Sequence, residues 1–150
     1  MQPLARWLRW LLYTSFAALW LTGAVVFVLR HFYQTVTEFG STPHFLQPRL
    51  LVIHGIIAVL ALYLFGWISG RHVGEGWRHG GNRASGLPLI ALIASLALSG
   101  FAAYYLTNES VRSTNRSIHE WLGLVLLVPA SFHWIIGRRI RRDDARQTQN

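Results

Sequence analysis

Residues 50–69 read LLVIHGIIAVLALYLFGWIS, twenty consecutive positions without a charged side chain and with a single histidine, His54, near the start. A helix of that length rises about 30 Å at 1.5 Å per residue, the thickness of the hydrocarbon core of a bilayer. Three further stretches share this character, giving four helices at about 10–29, 50–69, 87–107 and 118–137. The connections are too short to fold by themselves, so the reading is one all-α domain over 1–150, a transmembrane four-helix bundle of up-down-up-down topology. The tail from Arg141 to Asn150 is polar.

Composition agrees. Hydrophobic residues make up 52% of the chain and charged residues 13%, which is too apolar for a soluble domain of this size. Arg6 and Arg9 precede the first apolar run as they would in a secretory signal. That run is longer than the about 7–15 residues of a signal core, carries Trp20 and Phe27, and leads to no small-x-small site, so it is expected to remain as the first helix.

The net charge of +8 comes from arginine alone, there being no lysine. Arg6, Arg9, Arg71, Arg78, Arg83, Arg138, Arg139, Arg141, Arg142 and Arg146 fall on one side of the four spans, and Arg30, Arg49, Arg112 and Arg116 on the other. The positive-inside rule then places both termini in the cytoplasm, as in a multi-pass protein of the bacterial inner membrane. Topology accounts for the basicity, and nucleic acid is not expected as a partner; membrane lipid is. Trp7, Trp10, Trp67, Trp77, Trp121 and Trp134 read as interfacial anchors.

The absence of cysteine removes thiolate metal sites, iron–sulfur clusters and thioether-linked haem, and the only methionine is Met1. Any metal chemistry falls to the seven histidines. With the amino terminus inside, the second and fourth helices run parallel. His54 and His119 are then expected near the outer face, and His72 and His133 near the inner one. His54 and His72 are 18 residues apart, about five turns, and His119 and His133 are 14 apart, close to four, so each pair projects from one helix face. The faces between them carry Ala58, Ala61 and Phe65 on the second helix and Gly123, Leu126 and Ala130 on the fourth, leaving room for a flat ligand. The separations along the axes, about 27 Å against about 21 Å, agree less well. Pro129 is expected to kink the fourth helix.

Two imidazoles on opposite faces of a planar iron site are what a b-type haem requires, and facing helices of a bundle supply them. Tetrahedral zinc would need three or four donors at one depth, which the spans do not offer. The expected cofactor is therefore haem b, one or two per chain with two favoured, and the ligands are His54, His119, His72 and His133. His79 stands in for His72 if the second helix extends, while His31 and His44 read as interface residues. Arg49 and Arg116, just before their histidines, suit haem propionates or snorkelling to the interface. The competing reading of each histidine is a hydrogen bond between helices.

The segments His54-Gly55, Gly70-Arg71-His72-Val73 with Trp77, Asn82-Arg83-Ala84-Ser85-Gly86, Ser99-Gly100 with Tyr104-Tyr105, His119-Glu120-Trp121-Leu122-Gly123, and His133 with Gly137-Arg138 resemble the di-haem cytochrome b superfamily. That superfamily includes cytochrome b561 and the cytochrome b subunits of hydrogenases and formate dehydrogenases, and the likeness is greater to a bacterial family of small cytochrome b-like membrane proteins. It covers about residues 49–139. It implies two b haems, one near each membrane face, carrying electrons between a donor and an acceptor such as a redox protein or quinone. The His54 to His72 spacing is longer than is typical of cytochrome b561. No residue set resembles a substrate pocket, so the chain reads as an electron-transfer cytochrome or as the cytochrome b subunit of an oxidoreductase. The alternatives are a haem-free membrane anchor that recruits a partner, and a histidine-lined proton or metal-ion transporter.

Overall fold

The computed structural model describes residues 6–38, 40–78 and 83–147. It is helical but for one hairpin, and four helical stretches are long and apolar enough to cross a membrane: Arg6–Phe32, Gln47–Gly70, Arg83–Tyr105 and Glu109–Ile140. The chain is a multi-pass, all-α membrane protein. Contacts divide it into two compact units, Met1–Ile68 and Ser69–Asn150.

In the first unit α1 (Arg6–Phe32) ends with Arg30 and His31 in its last turn, where positive charge complements the helix dipole. The chain then forms a short antiparallel hairpin, β1 (Thr35–Thr37) with β2 (Gly40–Thr42), in the register Thr35↔Thr42 and Val36↔Ser41. No strand was expected in this connection. Its cause is local: β-branched residues favour the pleat, and Gly40 takes a φ of 112° that a side chain would resist. The following α2 (Gln47–Arg78) carries Pro48 in its first turn, where a missing N–H leaves no bond unmade. Antiparallel packing of α1 on α2 is fixed by Thr22 against His54 and, further along, by the edge-on pair Phe16–Phe65, 6.4 Å between ring centres. Leu8, Ser15 and Val26 on α1 and Ala61 and Leu64 on α2 are buried, and the Ser15 hydroxyl donates to the Leu11 carbonyl at 2.7 Å. Val52, Ile56, Val59 and Tyr63 lie exposed along another stripe of α2. Apolar exposure of this kind within the unit is compatible with a membrane span, where apolar side chains need no water-facing cover.

The second unit holds α3 (Arg83–Tyr105), α4 (Glu109–Val125) and α5 (Leu127–Gln147), together with the end of α2. Three differences from the sequence reading bear on the histidines and the arginines beside them. The second helix runs on to Arg78, so His72 lies within it instead of closing it; its side chain lies outside the described residues, as does His79. The last span begins at Glu109 instead of about 118, which puts Arg112 and Arg116 on a helix, as Arg49 is on α2. Hydropathy detects only the part of a helix that lies in lipid. The polar turns from Glu109 to Ser117 form because the Asn108 side chain caps the helix, accepting from the Val111 N–H at 3.1 Å, and Glu109 pairs with Arg112. The third difference is an interruption at Leu126 between α4 and α5. Leu126 still donates to Leu122 and Ala130 to Leu126, at 3.0 and 3.2 Å. Pro129, having no N–H, offers nothing to the Val125 carbonyl one turn back. The proline thus acts where a kink was expected, by deleting one rung of the ladder.

Replacing Asn108 by Ala is expected to destabilise the start of α4 by about 1 kcal/mol. Faster hydrogen exchange at the amides of residues 109–112, with the rest of the helix unchanged, is the measurement that checks it.

Candidate functional site

His54 lies two turns into α2, half-buried and turned toward α1. Its Nδ1 is 2.9 Å from the hydroxyl of Thr22. That hydroxyl is itself 2.8 Å from the Ala18 carbonyl and 3.0 Å from that of Leu19. A carbonyl can only accept, so the one hydroxyl proton points to it and the oxygen faces the ring with a lone pair. With the hydroxyl proton so directed, Nδ1 is the protonated ring nitrogen and Nε2 carries the basic lone pair. The next residue lets the ring come close. A Cβ at Gly23 would stand 3.1 Å from His54 Cε1, tighter than side chains ordinarily pack.

The same arrangement recurs in the second unit. His119 Nδ1 is 3.0 Å from the Ser99 hydroxyl, which donates to the Ser95 carbonyl at 2.7 Å. The same hydroxyl lies 3.2 Å from the Leu96 carbonyl. A Cβ at Gly100 would lie 3.1 Å from His119 Cε1. On α5, His133 Nδ1 is 3.0 Å from the Ser85 hydroxyl, and a Cβ at Gly86 would be 3.5 Å from His133 Cε1. Each histidine thus rests on a hydroxyl residue followed by glycine: Thr22-Gly23, Ser99-Gly100 and Ser85-Gly86.

The spacing along these helices closes on itself. Ser85 and Ser99 are 14 residues apart on α3, and His119 and His133 are 14 apart along α4 and α5 in the opposite direction. Both intervals span about 21 Å. One face of α3 therefore carries both anchors, and His119 and His133 project toward the same helix, as their phase predicts.

What these imidazoles could hold follows from their donor chemistry. A ring whose Nδ1–H is tied down presents Nε2 in a fixed direction, the usual way that proteins orient a metal-binding histidine. Among the described residues no three His, Cys, Asp or Glu side chains come together as a metal cluster. Imidazoles held singly along helices offer separate nitrogen donors, not the three or four converging donors of a tetrahedral ion. The indole N–H of Trp20, three residues before Gly23, is buried and has no hydrogen-bond partner among the described residues, so α1 also offers a donor beside its anchor.

Of the residues singled out in the sequence, His54, His119 and His133 are half-buried on helices, and His72 is placed only by its backbone in α2. Arg49 is exposed and Arg116 half-buried. His31 stacks on Phe27, with 4.4 Å between ring centres, and His44 Nδ1 accepts from the Leu46 N–H at 3.3 Å, which accounts for both without a ligand. Ala61 is buried, while Gly66 has nothing within 4 Å of an added Cβ and Gly123 only ordinary contact with Leu96. The anchors Thr22, Ser85 and Ser99 were not among the expected site residues, although Ser85-Gly86 and Ser99-Gly100 lie in the segments that carry the family resemblance. Comparison of the chain with models of protein families, with curated proteins and with solved structures finds no match.

Gly23→Val and Gly100→Val should each force an anchored ring aside and cost about 1–3 kcal/mol. Gly66→Val, which adds a side chain into open space, is the control and should be close to neutral. Denaturation of the detergent-solubilised variants separates the two classes.

Proposed function

We propose that this chain is a b-type cytochrome, with two haems favoured, that carries electrons across a bacterial inner membrane between redox partners or quinone. The observation that carries the reading is the repeated clasp: in a span where a polar group has no water to bond, three imidazoles are each locked at Nδ1 by a hydroxyl on a neighbouring helix and packed against a glycine. Ionisable side chains held this way inside a membrane are by default functional. In this reading His54, His119, His133 and, from its position in α2, His72 would hold the haem iron, paired as the sequence spacing suggests. Haem, when bound, supplies the one-electron iron couple.

The chain's own part is orientation and basicity. Thr22, Ser99 and Ser85 fix the direction in which each Nε2 points. Because a hydroxyl is a neutral acceptor, it leaves the imidazole neutral instead of pushing it toward the anion as a carboxylate would. Glycine at the next position sets how near each ring approaches its neighbouring helix. The arginine distribution orients the spans with both termini in the cytoplasm.

A reduced-minus-oxidised absorption spectrum with pyridine haemochrome quantification, on detergent-purified protein, tests the reading. Two haems in the wild type are expected, with one lost in His119→Ala and one in His133→Ala. No haem in wild-type protein made with ample haem supply would overturn it and leave a haem-free anchor. Orientation is checked separately, because the chain has no cysteine of its own. Ser41→Cys and Ser110→Cys should react with an impermeant maleimide on intact spheroplasts, and Arg83→Cys only after the membrane is opened.

A further inference from the structure

Ser99 does more than hold His119. Its backbone carbonyl accepts a hydrogen bond from the side-chain amide of Asn115, Nδ2 to oxygen 2.8 Å, across the gap between α4 and α3. Asn115 stands one turn before His119, so the two side chains share a face of α4 and grip the same residue of α3, one at its carbonyl and one at its hydroxyl. A helix carbonyl keeps a second lone pair after its own ladder bond, so the amide adds a bond without breaking one. The sequence does not repeat an amide one turn before the other two histidines. One turn before His54 stands Leu50, and one turn before His133 stands Pro129, neither of which has a side-chain donor.

We infer that Asn115 is a positioning residue for His119. It fixes the register of α4 on α3 so that Nδ1 meets the Ser99 hydroxyl and the ring lies on Gly100, where the space for it is set at a few tenths of an ångström. Given the cytochrome reading, on which this consequence rests, His119 is a ligand whose presentation depends on a second contact between α4 and α3. The centre it serves is the one whose behaviour depends on a residue that touches neither the iron nor the imidazole.

The test is nitrogen-15 NMR of histidine-labelled, detergent-solubilised protein, with and without haem, comparing the wild type with Asn115→Leu and with the conservative Asn115→Gln. In Asn115→Leu the His119 Nδ1–H signal should move or broaden by exchange while those of His54 and His133 stay in place. Asn115→Gln should restore it at least in part. With haem loaded, one of the two centres should lose its haem about tenfold faster in Asn115→Leu, and the other at the wild-type rate. A wild-type His119 signal in Asn115→Leu would overturn the inference, and so would equal changes at all three histidines, which would make Asn115 a general tie between helices. If Asn115→Leu does not accumulate, Asn115→Ser, too short to reach the Ser99 carbonyl, carries the same comparison. Wild-type protein that takes up no haem but whose His119 responds as described would defeat the cytochrome reading and leave the positioning role standing.

Discussion

An imidazole inside a bilayer must bond its N–H to protein, because lipid offers no acceptor, and here that requirement is met three times by a hydroxyl on the facing helix. The hydroxyl alone would not suffice. Serine and threonine in membrane helices commonly turn back to the carbonyl one turn earlier, as Thr22 and Ser99 do. What makes them anchors is the glycine that follows, which lets the ring come near enough to use the lone pair left over. Polarity and close approach are thus one device, and the pairing of α1 with α2, and of α3 with α4 and α5, follows from where it is placed.

Within the second unit this device also sets the register. Two anchors on α3 face two histidines on the antiparallel path of α4 and α5 at the same interval. A slip of one residue would turn both imidazoles away from their hydroxyls together, leaving two buried polar groups unpaired. Asn115 strengthens the lock at one end. The break at Leu126 lies between the two histidines, so the path is interrupted without losing the alignment that both rings need.

The spans were legible because a bilayer imposes a length and a composition that a sequence displays directly. The histidines were legible as candidates because an ionisable group in such a span is rare. The polar start of α4 was hidden, since nothing hydrophobic marks a helix held by Asn108 and the Glu109–Arg112 pair. The hairpin was written in Thr35-Val36-Thr37 and Gly40 but lay in a connection too short to invite a strand. The anchors were present in sequence as hydroxyl-glycine pairs, and the equal interval from Ser85 to Ser99 and from His119 to His133 would have exposed two of them. Only the antiparallel alignment of the helices shows that the two intervals belong together. The role of Asn115 had no sequence signal, because a carbonyl partner can lie on any residue.

The hydrogen bonds at the histidines bear on how their protons can move. A histidine that relays protons must accept on one ring nitrogen and release from the other. At His54 and His119 the Nδ1 atom lies against a hydroxyl that also reaches a carbonyl of its own helix, Ala18 in one case and Ser95 in the other. That chain ends at an atom that cannot pass a proton on. A ring held at Nδ1 keeps the direction of its Nε2 fixed, which is how proteins commonly orient a metal-binding histidine. The argument is strongest at His54 and His119, where both bonds of the chain are in place. At His133 the Ser85 hydroxyl holds the ring by the first of them.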